Sequence, residues 1–101
     1  MPLRMELRDR DGTVLGVAGE TYDTIDTTLP EFSFDSFPML AGIDRYGDTM
    51  FNRLQLSQVA VELERLLESS PPKRAKMLRE VIELCRAGAA KSHAQLWVIG
   101  D

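Results

Sequence analysis

The sequence predicts an α+β fold: a small, mostly antiparallel sheet with a two-helix hairpin packed on one face. Three observations predict it. Residues 3–9 alternate apolar and charged side chains, residues 57–87 repeat apolar side chains at a helical period, and residues 96–99 are apolar on both sides. A chain of 101 residues has room for one core, so residues 1–101 are expected to form a single domain.

The N-terminal part predicts a β-hairpin over residues 2–18. Leu3, Met5 and Leu7 lie on one side of the alternating segment, which is typical of a half-buried strand. Asp11-Gly12 favours a tight turn, and the apolar residues after it supply the returning strand. DRDGT also resembles the start of a calcium-binding loop, but the oxygen ligands that such a loop needs further along are missing. The turn is therefore the preferred interpretation.

The middle of the chain predicts a third strand over residues 37–43, FPMLAGI, and a short helical turn over residues 49–53. The first long helix is expected over residues 57–69, with Ser57 as its N-cap.

Residues 71–87 predict a second helix, with Ser70 as its cap and Gly88 at its end. Residues 96–99, LWVI, predict a final strand. Because both of its sides are apolar, this strand is expected at the centre of the sheet.

Charge is distributed unevenly along the chain. The net charge is −4, yet between residues 20 and 48 seven acidic residues stand against one arginine. An acidic region of this kind repels the backbone of nucleic acids and attracts basic surfaces. Nucleic acid is therefore not an expected partner, and a basic protein is.

Cysteine content and hydropathy indicate the compartment. Cys85 is the single cysteine, and a chain without a disulfide framework suits a reducing compartment. The sequence shows no secretory signal and no apolar run long enough to cross a bilayer. We expect a cytoplasmic protein that has no membrane partner.

The segment GIDRYGDTMFNRLQ, residues 42–55, concentrates polar side chains before the first long helix. Asp44 and Asp48 are the residue types that a Mg²⁺ site uses, but they are equally the types that a sharp turn requires. His93, the only histidine, has no neighbouring acid or nucleophile in the sequence. No metal ligand, cofactor or catalytic residue is therefore assigned.

The same segment resembles a family of small bacterial proteins, roughly 100 residues long, for which no activity is established. The shared pattern is FPxLxxIDxYxDTxFN followed by an apolar C-terminal end before Gly-Asp, and the resemblance covers residues 36–101. It implies a family and no activity. The matching positions are Phe37, Pro38, Asp44, Tyr46, Asp48, Thr49, Phe51, Asn52, Gly100 and Asp101.

The favoured function is a non-enzymatic interaction module, in its most concrete form an immunity or antitoxin-type inhibitor that covers a basic site of a toxin with its acidic 20–48 segment. Two alternatives stay open. One is a small metal-dependent or acid–base enzyme that uses Asp44 and Asp48, with His93 as an optional third group, and the other is a structural homodimer. The predicted partner-binding residues are Asp23, Asp26, Asp35, Asp44, Arg45, Tyr46 and Asp48.

Overall fold

The computed structural model describes residues 4–18, 33–44 and 46–100. The elements are, in chain order, β1 (Arg4–Arg8), β2 (Val14–Ala18), β3 (Asp48–Asn52), α1 (Arg53–Glu68), α2 (Pro72–Ala89) and β4 (Gln95–Ile99). The strands form one antiparallel sheet in the order β2-β1-β4-β3. Both helices pack on one face of this sheet, so the predicted α+β class is confirmed.

The first two strands form the predicted hairpin. Met5 and Leu7 of β1 are buried, as the alternating pattern predicts. Gly12, in the connection, has a φ of +90°, a left-handed conformation that glycine adopts without a steric penalty. Its N–H donates to the carbonyl of Asp9 at 2.9 Å. Residues 9–13 are therefore a turn.

The last strand, β4, is central, as its two apolar sides predict. It lies between β1 and β3, with Leu96 and Val98 buried on the face that the helices cover. Trp97 and Ile99 are half-buried on the second face of the sheet. The strand order gives β4 a neighbour on each edge, and β1, whose sequence alternates, is central as well.

Residues 37–43 do not form the predicted strand. They contain turns and a short 3-10 helix, Leu40–Gly42. The buried carboxylate of Glu62 accepts hydrogen bonds from the N–H groups of Met39 and Leu40 at 3.0–3.1 Å. Because these donors are already satisfied by a side chain, they cannot join a strand ladder.

The third strand is β3 instead, and the helical turn predicted over residues 49–53 is wrong. Thr49 pairs with Val98 and Phe51 with Leu96 across β4. The phenylalanine is buried under the helices, so an extended backbone here places it in the core.

The first helix begins at Arg53, one turn before the predicted start at Ser57. Asn52 is the N-cap: its Oδ1 accepts from the N–H of Gln55 at 3.0 Å, and Gln55 Oε1 accepts from the N–H of Asn52 at 2.9 Å. This reciprocal capping box satisfies two backbone donors that the helix leaves without partners. Ser57 is exposed inside the helix.

The second helix also differs from the predicted residues 71–87. Ser70 does not cap it, because its hydroxyl donates to a carbonyl in the last turn of α1 at 2.7 Å. Gly88 lies inside α2 and does not end it. A Cβ at this position would lie 2.5 Å from Leu56 Cδ1 and 2.7 Å from Leu7 Cδ1. The glycine therefore permits close packing of α2 against α1 and β1.

The core lies between the helices and the sheet. Cys85 is fully buried within it, and burial raises the pKa of its thiol to about 12, so the thiol stays protonated and packs as a small apolar group. Neither helix in the described part of the chain has the length and apolar character needed to cross a membrane. The largest fully buried apolar side chains are Met5, Leu56, Leu78, Leu96, Val59, Val81 and Val98.

Candidate functional site

The structure brings together three of the predicted partner-binding residues. Asp44, Tyr46 and Asp48 lie in and directly after the turn that precedes β3, and all three are exposed. Asp35 is exposed in a separate turn over residues 34–36. The predicted residues Asp23, Asp26 and Arg45 lie outside the described residues.

The turn before β3 is held by the side chains of Asp44 and Thr49. Oδ1 of Asp44 accepts from the N–H of Tyr46 at 2.9 Å, and Oγ1 of Thr49 accepts from the N–H of Asp44 at 2.9 Å. Aspartate bonded to the backbone two residues ahead is a common way to stabilise a turn. The Asp44 carboxylate thus has a structural role as well as a negative charge.

Gly47 fits this turn because it has no side chain. A Cβ at this position would lie 2.8 Å from Oδ2 of Asp44, closer than two such atoms normally approach. The carbonyl of Gly47 also accepts from the N–H of Gly100 at 2.8 Å, which ties the turn to the residue after β4. Hydrogen bonds therefore hold the N–H of Tyr46 and the carbonyl of Gly47 after it.

Tyr46 is the most exposed aromatic side chain among the described residues, at 77%. It stands between two exposed carboxylates, Asp44 and Asp48. We call residues 44–48 the acidic turn. An exposed tyrosine on a hydrogen-bonded, charged turn is the kind of group that contributes strongly to protein interfaces.

The segment that leads into the acidic turn is fastened to α1 by residues that the sequence did not single out. Glu62 is fully buried, and Gln58 Nε2 donates to its Oε2 at 3.0 Å, in addition to the two backbone donors described above. Arg65 donates from Nη1 to the carbonyl of Ser36 at 2.7 Å and lies 4.9 Å from the ring centroid of Phe37. In the sequence Glu62 is one of several charged residues set among the apolar positions of α1, so no local signal marks it as buried.

His93 does not lie near Asp48, one of the two aspartates of the enzyme alternative. His93 lies just before Gln95, the first residue of β4, whereas Asp48 is paired with Ile99 at the other end of that strand. A strand of this length separates its ends by roughly 13 Å. Among the described residues, no three His, Cys, Asp or Glu side chains are grouped so that they could hold a metal ion.

A second polar cluster lies on the second face of the sheet. The Glu6 carboxylate accepts from Arg4 Nε at 2.6 Å and from Arg8 Nη2 at 2.8 Å. The hydrogen bonds from Arg8 and then Arg4 lower the pKa of Glu6 below its usual value of 4.5. The Arg8 guanidinium also lies 4.8 Å from the ring centroid of Trp97, whose Nε1 donates to Oε1 of Gln95 at 3.2 Å.

No family model, curated protein or solved structure matches this chain.

Proposed function

We propose that the protein is a non-enzymatic interaction module that binds a basic protein through the acidic 20–48 segment, with Tyr46 as the aromatic anchor. The observation that carries the proposal is the 77% exposure of Tyr46 on a turn fixed by hydrogen bonds. A fixed turn loses little conformational entropy on binding, and a surrounding negative charge accelerates association with a basic surface. In its most concrete form the module is an immunity or antitoxin-type inhibitor that acts in the cytoplasm.

The engagement of Asp44 favours this proposal over the metal-dependent alternative. One oxygen of its carboxylate already accepts the N–H of Tyr46, so the group positions the turn itself. The resemblance to the family of small bacterial proteins includes Asp44, Tyr46, Asp48 and Thr49. We propose that this shared pattern preserves the shape of the acidic turn.

The first experiment separates charge from shape. Asp44→Asn keeps an oxygen acceptor for the turn and removes the charge, and Asp48→Asn removes the second charge. A bait with both substitutions and Tyr46→Ala is compared with wild type in quantitative affinity capture from cells of the source organism. The matched control, Glu80→Gln with Glu83→Gln, removes two exposed charges from α2.

We expect one or more basic proteins to be captured by wild type and control, and to be lost with the triple variant. With the captured protein purified, its association rate should fall steeply as salt increases, because the attraction is between exposed charges. Equal capture by all three baits would contradict the proposal.

The inhibitor form has its own test. The captured protein is expressed from an inducible promoter in a heterologous host, alone and together with the chain. Growth arrest that wild type relieves and the triple variant does not relieve supports an immunity role. If the captured protein binds the chain but does not affect growth, the interaction role is supported and the inhibitor role is contradicted.

A further inference from the structure

A depression of about 370 Å³ lies at the end of the sheet opposite the acidic turn. Three connections meet there: the β1–β2 turn, the β3–α1 junction and the segment between α2 and β4. We call it the basic depression. The lining residues that matter for its chemistry are Arg10, Asn52, Arg53, Leu54, His93 and Gln95.

The arginines of the basic depression lack an ion-pair partner in the described part of the chain. Arg10 and Arg53 form no ion pair there, and no acidic side chain described lines the depression. Asp9 and Asp11 flank Arg10 in the sequence, but neither pairs with its guanidinium: Asp9 accepts from the N–H of Arg10 at 2.8 Å and faces Lys91 at 3.9 Å, and Asp11 accepts from the N–H of Thr13 at 3.0 Å. Two permanently charged guanidinium groups thus line one concave surface.

The two amide side chains of the depression are oriented by bonds made elsewhere. Asn52 Oδ1 accepts from the N–H of Gln55 in the capping box, and Gln95 Oε1 accepts from Trp97 Nε1. Because both amide oxygens are engaged, the NH₂ groups of Asn52 and Gln95 are left as donors. The polar side-chain groups that can still form hydrogen bonds in the depression are therefore mainly donors, and donors complement an anion.

We infer that the basic depression binds the terminal phosphate of a small phosphorylated ligand. Arginine pairs with phosphate through two parallel hydrogen bonds, and two arginines match the double negative charge of a phosphate monoester. The volume is at the lower end of the range for small-molecule sites, enough for a phosphate and a compact organic group. Leu54, 75% exposed at the rim, offers that group an apolar contact.

The test is a titration of the ¹⁵N-labelled full chain, followed by NMR at constant ionic strength. The probes are sodium phosphate, sodium pyrophosphate, sodium acetate and a single-stranded oligothymidylate. The oligothymidylate distinguishes binding of a nucleic acid backbone from binding of a small phosphate. The variant Arg10→Gln with Arg53→Gln is compared with Lys76→Gln with Arg79→Gln, a control that removes two exposed charges from α2.

Saturable shifts with phosphate or pyrophosphate, centred on residues 10, 53, 93 and 95, are the expected result. The Arg10→Gln, Arg53→Gln variant should bind at least about tenfold more weakly, because each loss removes a charge-assisted hydrogen bond. The control should bind like wild type. The wild-type shift map stands as evidence on its own, even where a variant folds poorly.

Three outcomes would overturn the inference. Shifts that rise linearly and spread over the surface with every salt indicate general ion screening. Equal binding by the arginine variant and the control places the anion elsewhere. Tighter binding of the oligothymidylate than of pyrophosphate at the same residues replaces a small ligand with a nucleic acid.

Discussion

The two ends of β3, the acidic turn and the basic depression, carry opposite charge. They also differ in whether their polar side chains bond within the chain or lack an ion-pair partner there. At the acidic turn, the polar atoms of Asp44 and Thr49 bond to the turn itself, so the surface offers a fixed shape and residual negative charge. At the basic depression, Arg10 and Arg53 have no ion-pair partner among the described residues. This contrast underlies both proposals, in which the acidic end presents a shape to a protein and the basic end receives a phosphate.

The largest effect is expected from removing the buried carboxylate that anchors the acidic end. Glu62→Ala leaves the N–H groups of Met39 and Leu40 without acceptors in a buried region. We expect a loss of about 2–4 kcal/mol in the free energy of unfolding, measured with urea. Hydrogen exchange should also become faster over residues 39–44.

The matched control is Glu64→Ala on the same helix. Glu64 pairs with Arg86 at the surface, and such exposed pairs contribute under about 1 kcal/mol. Equal destabilisation by Glu62→Ala and Glu64→Ala would show that Glu62 does not anchor the segment before the acidic turn.

A smaller effect is expected from Gly47→Ala, which changes the shape of the acidic turn. The new Cβ would displace the Asp44 carboxylate from its bond to Tyr46. We expect a loss of about 1 kcal/mol by urea unfolding and weaker capture of the protein partner. Gly42→Ala is the control, because a Cβ there meets nothing within 4 Å.

The same substitution tests whether the two ends act independently. They are separated by roughly the 13 Å length of β3, so phosphate binding at the basic depression should not change with Gly47→Ala. Weaker phosphate binding by Gly47→Ala would show that the two ends are coupled and do not act independently.

The hairpin and the central strand were predictable because their signals are local. The alternation of Met5 and Leu7 with charged residues and the Asp11-Gly12 turn act within a few residues. The residues of the capping box, Asn52 and Gln55, are also close in the sequence, but Ser57 is a residue type that is equally common at a helix N-terminus.

The buried acid and the basic depression were not predictable in this way. Glu62 has the same local context as its exposed neighbours, and the backbone N–H groups that it accepts from lie more than 20 residues earlier. The depression collects Arg10, Arg53 and His93 from three distant connections, and only the strand order brings these together. Long-range contacts of this kind leave no periodic signal.

The backbone of His93 distinguishes the basic end further. Its φ of +65° is left-handed, a region that costs a non-glycine residue about 1 kcal/mol or more. His93→Gly should therefore raise the free energy of unfolding by up to about 1 kcal/mol, and His93→Val should lower it by more than that, measured by urea unfolding. Equal stability of the two variants would contradict a conformational origin.

The smallest effect concerns Glu6, which lies between the two ends on the second face of the sheet. Because Arg8 and Arg4 lower its pKa in the folded state, the ionised carboxylate stabilises the fold at pH values above its ordinary pKa of 4.5. This contribution is lost as the pH falls through the lowered value. Wild type should therefore lose more stability than Glu6→Gln on acidification below about pH 4.5, measured by urea unfolding at successive pH values.

Asp11→Asn is the matched control for Glu6→Gln. The pKa of Asp11 is also lowered, mainly by its hydrogen bonds to Thr13, but its carboxylate is exposed and solvent screens its interactions. The pH dependence of stability should therefore change less with Asp11→Asn than with Glu6→Gln.

The Glu6→Gln variant also tests whether the second face of the sheet shapes the basic depression. Arg8, which pairs with Glu6, contacts Trp97, and Trp97 in turn donates to Gln95, so phosphate binding by this variant reports on the network. Weaker phosphate binding, with protein capture by the acidic turn unchanged, would show that the second face of the sheet supports the basic depression and not the acidic turn.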